Sequence, residues 1–211
     1  TSFVNLETGD LHIKGNMPSG YKRVESYIAQ LKEMYKSASK NERTLYYLHD
    51  YQKNIPAVTI DASCGQDNIL SNLLRFNNLD YKNISFSLSV DSVNGINGQG
   101  GIYQLNKDEI LIDTIRFMIH QRDEFIRYFA GVRTRSLDPE NPKLKFYSAL
   151  YGTLVNDSLT TKFLFRDNND NVGADIQMNT IFSPKNLYIN FTPKATIFNK
   201  RFNFNNDNFV K

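Results

Sequence analysis

The sequence of 211 residues lacks tryptophan altogether and has a single cysteine, Cys64. One cysteine excludes a disulfide framework and any zinc site built from several thiolates. The three histidines are far apart along the chain, and none has a second histidine four residues away, so we expect no metal site and no cofactor. No apolar run approaches the roughly eighteen residues that a transmembrane helix needs, so we expect no membrane span.

The composition that remains is that of a folded domain. Hydrophobic residues make up 40% of the chain and aromatic residues 13%, which excludes a disordered protein. The net charge of +3 permits an anionic partner without requiring one. The length is that of one large domain or two small ones, and because no internal repeat is visible we expect a single domain over residues 1–211. Thr1, in place of methionine, suggests a processed or a trimmed amino terminus. As a separate expectation, we predict that the protein is secreted.

Hydrophobic periodicity predicts a helix and an antiparallel sheet in the first half of the chain. Apolar residues recur every three or four positions between residues 21 and 39, which is typical of an amphipathic helix. Over residues 84–90 they alternate with serines, so Phe86, Leu88 and Val90 should share the buried face of a strand. Further strands are predicted at residues 3–6, 11–13, 57–60, 69–76 and 101–105, with a glycine-rich flexible loop or hairpin end at 94–101.

The second half of the chain predicts a long central helix over about residues 108–130. Its apolar residues cover more than one side of a helix, which indicates burial, and Gly131 follows as an end signal. We therefore expect an α+β fold with an antiparallel sheet in the N-terminal half, a central buried helix and a strand-rich C-terminal part. The other elements predicted here are a helix at 144–155, strands at 163–165, 174–181, 187–191 and 196–198, and a tail at about 203–211 that is loosely held or pairs with another element.

The sharpest candidate for chemistry is the pair Glu124 and Arg127 in the predicted central helix. Three residues apart, they would lie on one helix face about one turn from each other. A surface ion pair with this spacing would contribute only ~0.3 kcal/mol. The neighbouring aromatic and apolar residues indicate instead that part of this turn is buried, and a carboxylate and a guanidinium held together in a cleft can catalyse a reaction.

This segment resembles a known family. Glu124-x-x-Arg127 followed by an aromatic residue, and then Gly-x-Arg-Thr-Arg at 131–135, is similar to the active-site helix of the ribosome-inactivating proteins, the RNA N-glycosidases of ricin and Shiga-toxin type. The helix at 21–39, the strand at 84–90 and the segment 146–151 stand in the order in which the family has corresponding elements.

The chain also departs from the family pattern. It is short, so the family's helices between sheet and active-site helix would be almost entirely missing, and the family's tryptophan near residues 146–151 is absent. Gly95 and Ile96 stand where the family has its first adenine-stacking tyrosine, and Tyr103 is the nearest aromatic residue.

The resemblance implies an rRNA N-glycosidase that removes an adenine from a ribosomal RNA loop and stops translation. Glu124 would stabilise the oxocarbenium-like sugar, and Arg127 would protonate or hydrogen-bond the leaving adenine. The unpaired base would stack on aromatic rings, and basic residues would hold phosphates. The residues implied in these binding roles are Tyr103, Tyr147 and Tyr151 for the base, and Arg133 and Arg135 for the phosphates.

Two other interpretations follow from the residues themselves. A non-enzymatic secreted or periplasmic α+β binding or assembly domain would exchange strands with a protein partner through its Asn/Phe-rich tail, and Glu124 and Arg127 would then form only an ion pair. A thiol enzyme would need Cys64 activated by His49 or His120. No signature of such enzymes surrounds Cys64, so we expect this residue to be dispensable.

Overall fold

The computed structural model describes residues 1–37, 52–107, 110–123, 125–136, 145–155, 158–182, 186–192, 194–198, 200–203 and 209–210. Antiparallel strands make up most of this part of the chain, together with the helices α1 (Tyr21–Ser37) and α2 (Ile69–Arg75). The strands are β1 (Ser2–Thr8), β2 (Leu11–Met17), β3 (Val58–Cys64), β4 (Leu79–Asp80), β5 (Asn83–Asp91), β6 (Gly95–Lys107), β7 (Ile110–Arg122), β8 (Phe125–Ser136), β9 (Tyr147–Val155), β10 (Ser158–Arg166), β11 (Val172–Phe182), β12 (Leu187–Phe191), β13 (Lys194–Ile197), β14 (Lys200–Asn203) and β15 (Phe209–Val210).

These strands form one sheet in which neighbours along the chain are mostly neighbours in space. The order is β1-β2-β3-β5-β6-β7-β8-β9-β10-β11-β12-β15, and each pairing is antiparallel. The short strand β4 pairs with β6, and the hairpin of β13 and β14 pairs with β11. Most connections between consecutive strands from β5 onward are short, which makes this meander the simplest way to pair them, whereas the connection from β2 to β3 is long and contains α1.

The expected α+β fold with a central helix is wrong. Residues 108–130 were expected to be helical, but the described part of this segment forms β7, a tight turn at Asp123, and the first part of β8. Ile115, Phe117 and Ile119 alternate with polar or flexible residues, which is the period of a strand. Asp123 has a φ of 51°, the left-handed conformation that two-residue hairpin turns require.

Two further predicted elements have the opposite secondary structure. Residues 69–76 were expected to be a strand, but 69–75 form α2, because the Asn68 side chain accepts a hydrogen bond from Ser71 N at 3.0 Å and caps the helix. Residues 144–155 were expected to be helical, but 147–155 form β9, paired on both edges. Both segments are short apolar runs, for which periodicity alone does not separate helix from strand.

The prediction is confirmed where the periodic signal is long and regular. The helix predicted at 21–39 is α1 over residues 21–37, and the alternating segment 84–90 lies within β5. The glycine-rich stretch 94–101 is a hairpin end, as one of its two interpretations predicted: Asn94 ends the turn between β5 and β6, and residues 95–101 begin β6. The flexible-loop interpretation is wrong. The tail at 203–211 is not wholly loose, since β15 pairs with β12 through Phe209 and Asn190; residues 204–208 lie outside the described part of the chain.

The register of the strands gives the sheet one polar and one apolar face, because residues paired across antiparallel strands point to the same side. The apolar face consists of parallel rows that cross the strands. The middle row contains Leu6, Ile13, Ala62, Phe86, Gly100, Phe117, Ala130, Leu150, Phe163 and Ile176. The polar face carries the intervening residues, among them Ser85, Ser87 and Ser89 of β5.

The apolar face is largely uncovered by the described residues. Leu74 of α2 packs at one corner, against Leu11, Cys64 and Tyr81. The described side chains of α1 are mostly exposed, Ile28 among them at 46%, so this helix is not packed across the face. Phe117, in the middle row, remains 39% exposed. The hydrophobic core is therefore small, and the chain presents a wide apolar surface on one side of a single layer.

Candidate functional site

The residues proposed for RNA binding share the polar face of the sheet, on strands β6, β8 and β9. Arg133 is the Cα partner of both Thr114 and Tyr147, and Thr114 is the partner of Tyr103. Tyr151 pairs with Phe129 on the same face. The structure therefore brings together residues that are up to 48 positions apart in the sequence.

In the described part of residues 108–130, the structure lacks the helix on which the proposed catalytic pair of Glu124 and Arg127 was based. Glu124 lies outside the described residues, and Arg127 lies on the strand β8. Residues three apart lie on one face of a helix but on opposite faces of a strand. The Arg127 side chain is exposed, and its guanidinium lies 5.2 Å from the centroid of the Phe125 ring. The helical spacing thus no longer supports a paired acid and base at this position.

The two arginines proposed as phosphate ligands differ in their surroundings. The guanidinium of Arg133 lies 5.6 Å from the centroid of the Tyr147 ring. Among the described residues, no acidic side chain forms an ion pair with Arg133. Arg135 instead forms an ion pair with Asp113 at 3.1 Å. Asp113 is the extra residue of a β-bulge in β7, which directs its carboxylate toward Arg135. Arg133 is therefore the better candidate for binding an anion.

Arg116, which the sequence did not single out, occupies the centre of this polar face. Its Cα partners are Gly101 on β6 and Gly131 on β8, so the arginine side chain stands between two residues that have none. A Cβ placed on Gly131 would lie 2.7 Å from the ring of Phe129, and one on Gly101 would lie 3.3 Å from the ring of Tyr103. The two aromatic rings therefore lie over the glycines on either side of Arg116.

Two cavities flank Arg116 on this face. The larger, of about 450 Å³, is lined by polar and apolar side chains that include Tyr103, Gln99, Met118 and Phe129. The smaller, of about 230 Å³, lies between Arg116, Arg133 and the Tyr147 ring. Arg116 and Phe129 line both cavities, so a ligand in either one would contact a guanidinium and an aromatic ring.

A third cavity, of about 640 Å³, lies farther along the same face, beside the hairpin of β13 and β14. Lys162 and Asp175 form an ion pair at 3.1 Å on its wall, and the hydrogen bond that Lys162 donates to Asp175 raises the pKa of Lys162 above its ordinary value. Lys194 and Arg201 add two more cations to the lining. This cavity and the pair around Arg116 form a cationic strip along the polar face of β6–β14.

The sequence contains a weak signal for these missed residues. Arg116, Met118 and His120 alternate with Phe117 and Ile119, as expected for a strand with one polar face. Because residues 108–130 were interpreted as a helix, this alternation was not recognised as the pattern of a strand. No sequence signal places Lys162 beside Arg201, because only the pairing of β11 with β13 brings the two segments together.

The apolar face is a second candidate site. Gly100 has no side chain, and the ring of Phe117 occupies the space above its backbone. The centroids of the Phe86 and Phe117 rings lie 5.9 Å apart. Polar groups on this face are satisfied internally: Gln121 donates to Gln52 at 2.8 Å and accepts from Ile96 N at 3.0 Å. A ligand on this face would therefore need apolar surface and no hydrogen-bonding groups.

Cys64 does not have the environment of a nucleophile. It is buried on the apolar face, and its Sγ lies 2.7 Å from the Tyr81 hydroxyl. His12 and His120 are on the polar face, and His49 lies outside the described residues. Within the described part of the chain, no group of three or more His, Cys, Asp or Glu side chains is placed to hold a metal ion. None of its helices is long and apolar enough to cross a membrane.

No protein-family model, curated protein or solved structure matches this chain. The resemblance to the ribosome-inactivating proteins therefore stays a prediction, and the assignment of a function depends on the geometry of the two faces.

Proposed function

We propose that the protein is a non-enzymatic binding domain that holds the acyl chains of lipids along the apolar face of its sheet. The observation that carries this proposal is the unbroken row from Leu6 to Ile176, which crosses ten strands without a charged residue. At about 4.8 Å between strands, the row is about 43 Å long. Apolar surfaces of this extent on a protein mark a binding site.

The rows on either side of the middle row are also apolar. One passes through Cys64, Ile84, Ile102, Ile115 and Val132, and the other through Val4, Ile60, Leu88, Ile119 and Tyr128. Rows on one face are two residues apart along each strand, or about 7 Å. A face several rows wide and ten strands long fits flexible hydrocarbon chains lying side by side.

The chemistry of the face favours acyl chains over a peptide. Gln121 is held by Gln52 and by the backbone of Ile96, and Thr161 lies 2.6 Å from the Tyr128 hydroxyl. These side chains have their partners already, so they offer little to the backbone N–H and C=O groups that a peptide would bring. Burial of an acyl chain requires no such partner and contributes about 0.8 kcal/mol per CH₂.

Two adjacent residues on β7 provide a matched test. Phe117 on the apolar face is 39% exposed, and Met118 on the polar face is 43% exposed. The assay measures binding of a fluorescent long-chain fatty acid, and then extraction of a labelled phospholipid from phosphatidylcholine vesicles. We expect Phe117→Glu to weaken binding at least about tenfold, because it places a charge within the apolar row, and Met118→Glu to leave it unchanged.

Three results would contradict the proposal. The proposal is wrong if the wild-type protein binds no fatty acid. It is also wrong if Phe117→Glu and Met118→Glu lower the affinity for fatty acid equally. A dimer of wild-type protein in sedimentation, converted to monomer by Phe117→Glu, would show that a second copy covers the face instead.

The rRNA N-glycosidase hypothesis stays a prediction with its own assay. If intact ribosomes release adenine on mixing with the protein, Arg127→Ala should lower the rate by about 10²–10⁴, the usual loss when a general acid is removed. Arg135→Ala, which removes only a possible phosphate contact, should change the rate much less. A secreted or periplasmic location also stays a prediction, and fractionation of the producing cells would test it.

A further inference from the structure

We propose that the cationic strip on the polar face binds a single-stranded nucleic acid. This surface is on the opposite side of the sheet from the proposed acyl-chain site, so the two proposals stand independently. The cations of the strip are Arg116, Arg133, Lys162, Arg166, Lys194 and Arg201, and each lines a cavity or lies on a strand between the cavities.

The strip has an excess of positive charge. Among the described residues, Asp175 is the only acid whose carboxylate pairs with one of these six cations. The same face is balanced at its other end, where Lys14 lies 4.0 Å from Glu7 and Asp61 accepts a hydrogen bond from Ser87 at 2.7 Å. The charge therefore concentrates on β7–β14, which favours an anionic ligand there over the rest of the face.

Aromatic rings are interleaved with these cations. The Tyr103 and Phe129 rings lie over glycines beside Arg116, and the Tyr147 ring lies against Arg133. Proteins that bind single strands use this combination, in which cations follow the phosphates and bases stack on rings. A simple polyanion such as a sulfated polysaccharide would use the cations but would gain nothing from the rings.

The length of the strip requires an extended ligand. The strip reaches from Arg116 on β7 to Arg201 on β14. Six strand spacings separate these two strands in the order β7-β8-β9-β10-β11-β13-β14, or about 29 Å. A mononucleotide cannot reach from one cavity to the other. An oligonucleotide crossing the strands can place a phosphate at Arg116 and another at Lys162.

The experiment measures fluorescence anisotropy of a labelled twelve-residue oligouridylate at several salt concentrations. Arg116→Ala should weaken binding and lower the slope of log K against log salt by about 0.7, the loss of one phosphate contact on a single strand. Phe129→Leu should weaken binding about five- to a hundredfold at an unchanged slope, since it removes a stacking surface and no charge. Tyr147→Leu gives a second test of stacking if Phe129→Leu lowers the melting temperature.

Lys14→Ala is the matched control, because it removes a cation from the same face outside the strip. It should leave binding within twofold, and a duplex of the same length should bind more weakly than the single strand. The proposal is overturned if wild-type protein does not bind at low salt, or if Lys14→Ala costs as much as Arg116→Ala. It is also overturned if both ring substitutions are without effect and a sulfated polysaccharide binds equally well.

Discussion

Phe129 and Gly131, two residues apart on β8, are matched in shape, since the aromatic ring lies where a side chain at the glycine would project. A Cβ on Gly131 would come within 2.7 Å of the ring, closer than packed atoms tolerate. The ring lies on the same face as Arg116, the Cα partner of Gly131, and both side chains line the two cavities there. The polar-face cavities thus depend on a glycine that a sequence pattern alone would treat as a helix end.

Gly131→Ala should displace the Phe129 ring and destabilise the protein by about 1–3 kcal/mol, the usual cost of adding a methyl group to a packed site. Urea denaturation followed by circular dichroism measures the change. Gly15→Ala is the control, because its Cβ would meet only atoms at 3.8 Å or beyond and should be neutral or slightly stabilising. Similar losses from both substitutions would show that strand glycines matter here for reasons other than the ring contact.

Asp123→Gly distinguishes the hairpin from the helix that the sequence suggested. Asp123 has a φ of 51°, so glycine at this position should relieve strain and stabilise the protein by up to about 1 kcal/mol. In a helix interior the same change would destabilise the protein by roughly 0.3 kcal/mol, because glycine is a poorer helix former than aspartate. The sign of the shift in thermal midpoint decides between the two structures.

Asn68→Ala should destabilise α2 by about 1 kcal/mol, because the Asn68 side chain caps the first turn by accepting a hydrogen bond from Ser71 N. Asn68 also donates to Asp10 at 2.6 Å, so the loss should lie at the upper end of the range for caps. Asn77→Ala is a control at the other end of the helix, where the side chain is exposed and donates only to Leu73 O. A smaller loss from Asn68→Ala than from Asn77→Ala would contradict the capping interaction.

The buried Tyr81 should make the protein sensitive to alkaline pH. Burial first, and the contact with Cys64 second, raise the pKa of Tyr81 from its ordinary value of 10.0 to about 12. A pKa that is higher in the folded state gives stability that is complete below pH 10 and is lost as the pH rises toward 12. The unfolding free energy should therefore fall between pH 10 and 12, and Tyr81→Phe should flatten that part of the profile. An identical fall in the variant would assign it to other groups.

The sequence was informative where a single period continued without interruption. The helix at 21–37 and the alternation at 84–90 are local patterns, and local side-chain periodicity is what determines them. The segment 108–130 was misread because the bulge at Asp113 interrupts the alternation of β7. Through the pairing with β8, Ile110 and Ile112 share a face with Ile115, although an odd number of positions separates them from it. The sequence between β7 and β8, Asp123-Glu124, contains neither the glycine nor the asparagine that usually indicates a two-residue hairpin turn, so the sequence did not predict a turn there.

The candidate sites were predictable only in part. Tyr103, Tyr147 and Arg133 were chosen for RNA binding because of a family resemblance, and they do share one face with Arg116. The catalytic argument for Arg127 depended on a helix and has lost its geometric basis with it.

By itself, the amino-acid sequence determined which residues are apolar and which are charged, and hence that each strand would have two unlike faces. Only the tertiary structure decided that these strands would pair in one meander with the apolar residues in register. Registry between strands depends on the bulge at Asp113 and on turns such as that at Asp123, and a shift of one residue would move every side chain to the other face. The same register brings Arg116 between Gly101 and Gly131, and pairing, not proximity in sequence, creates both surfaces.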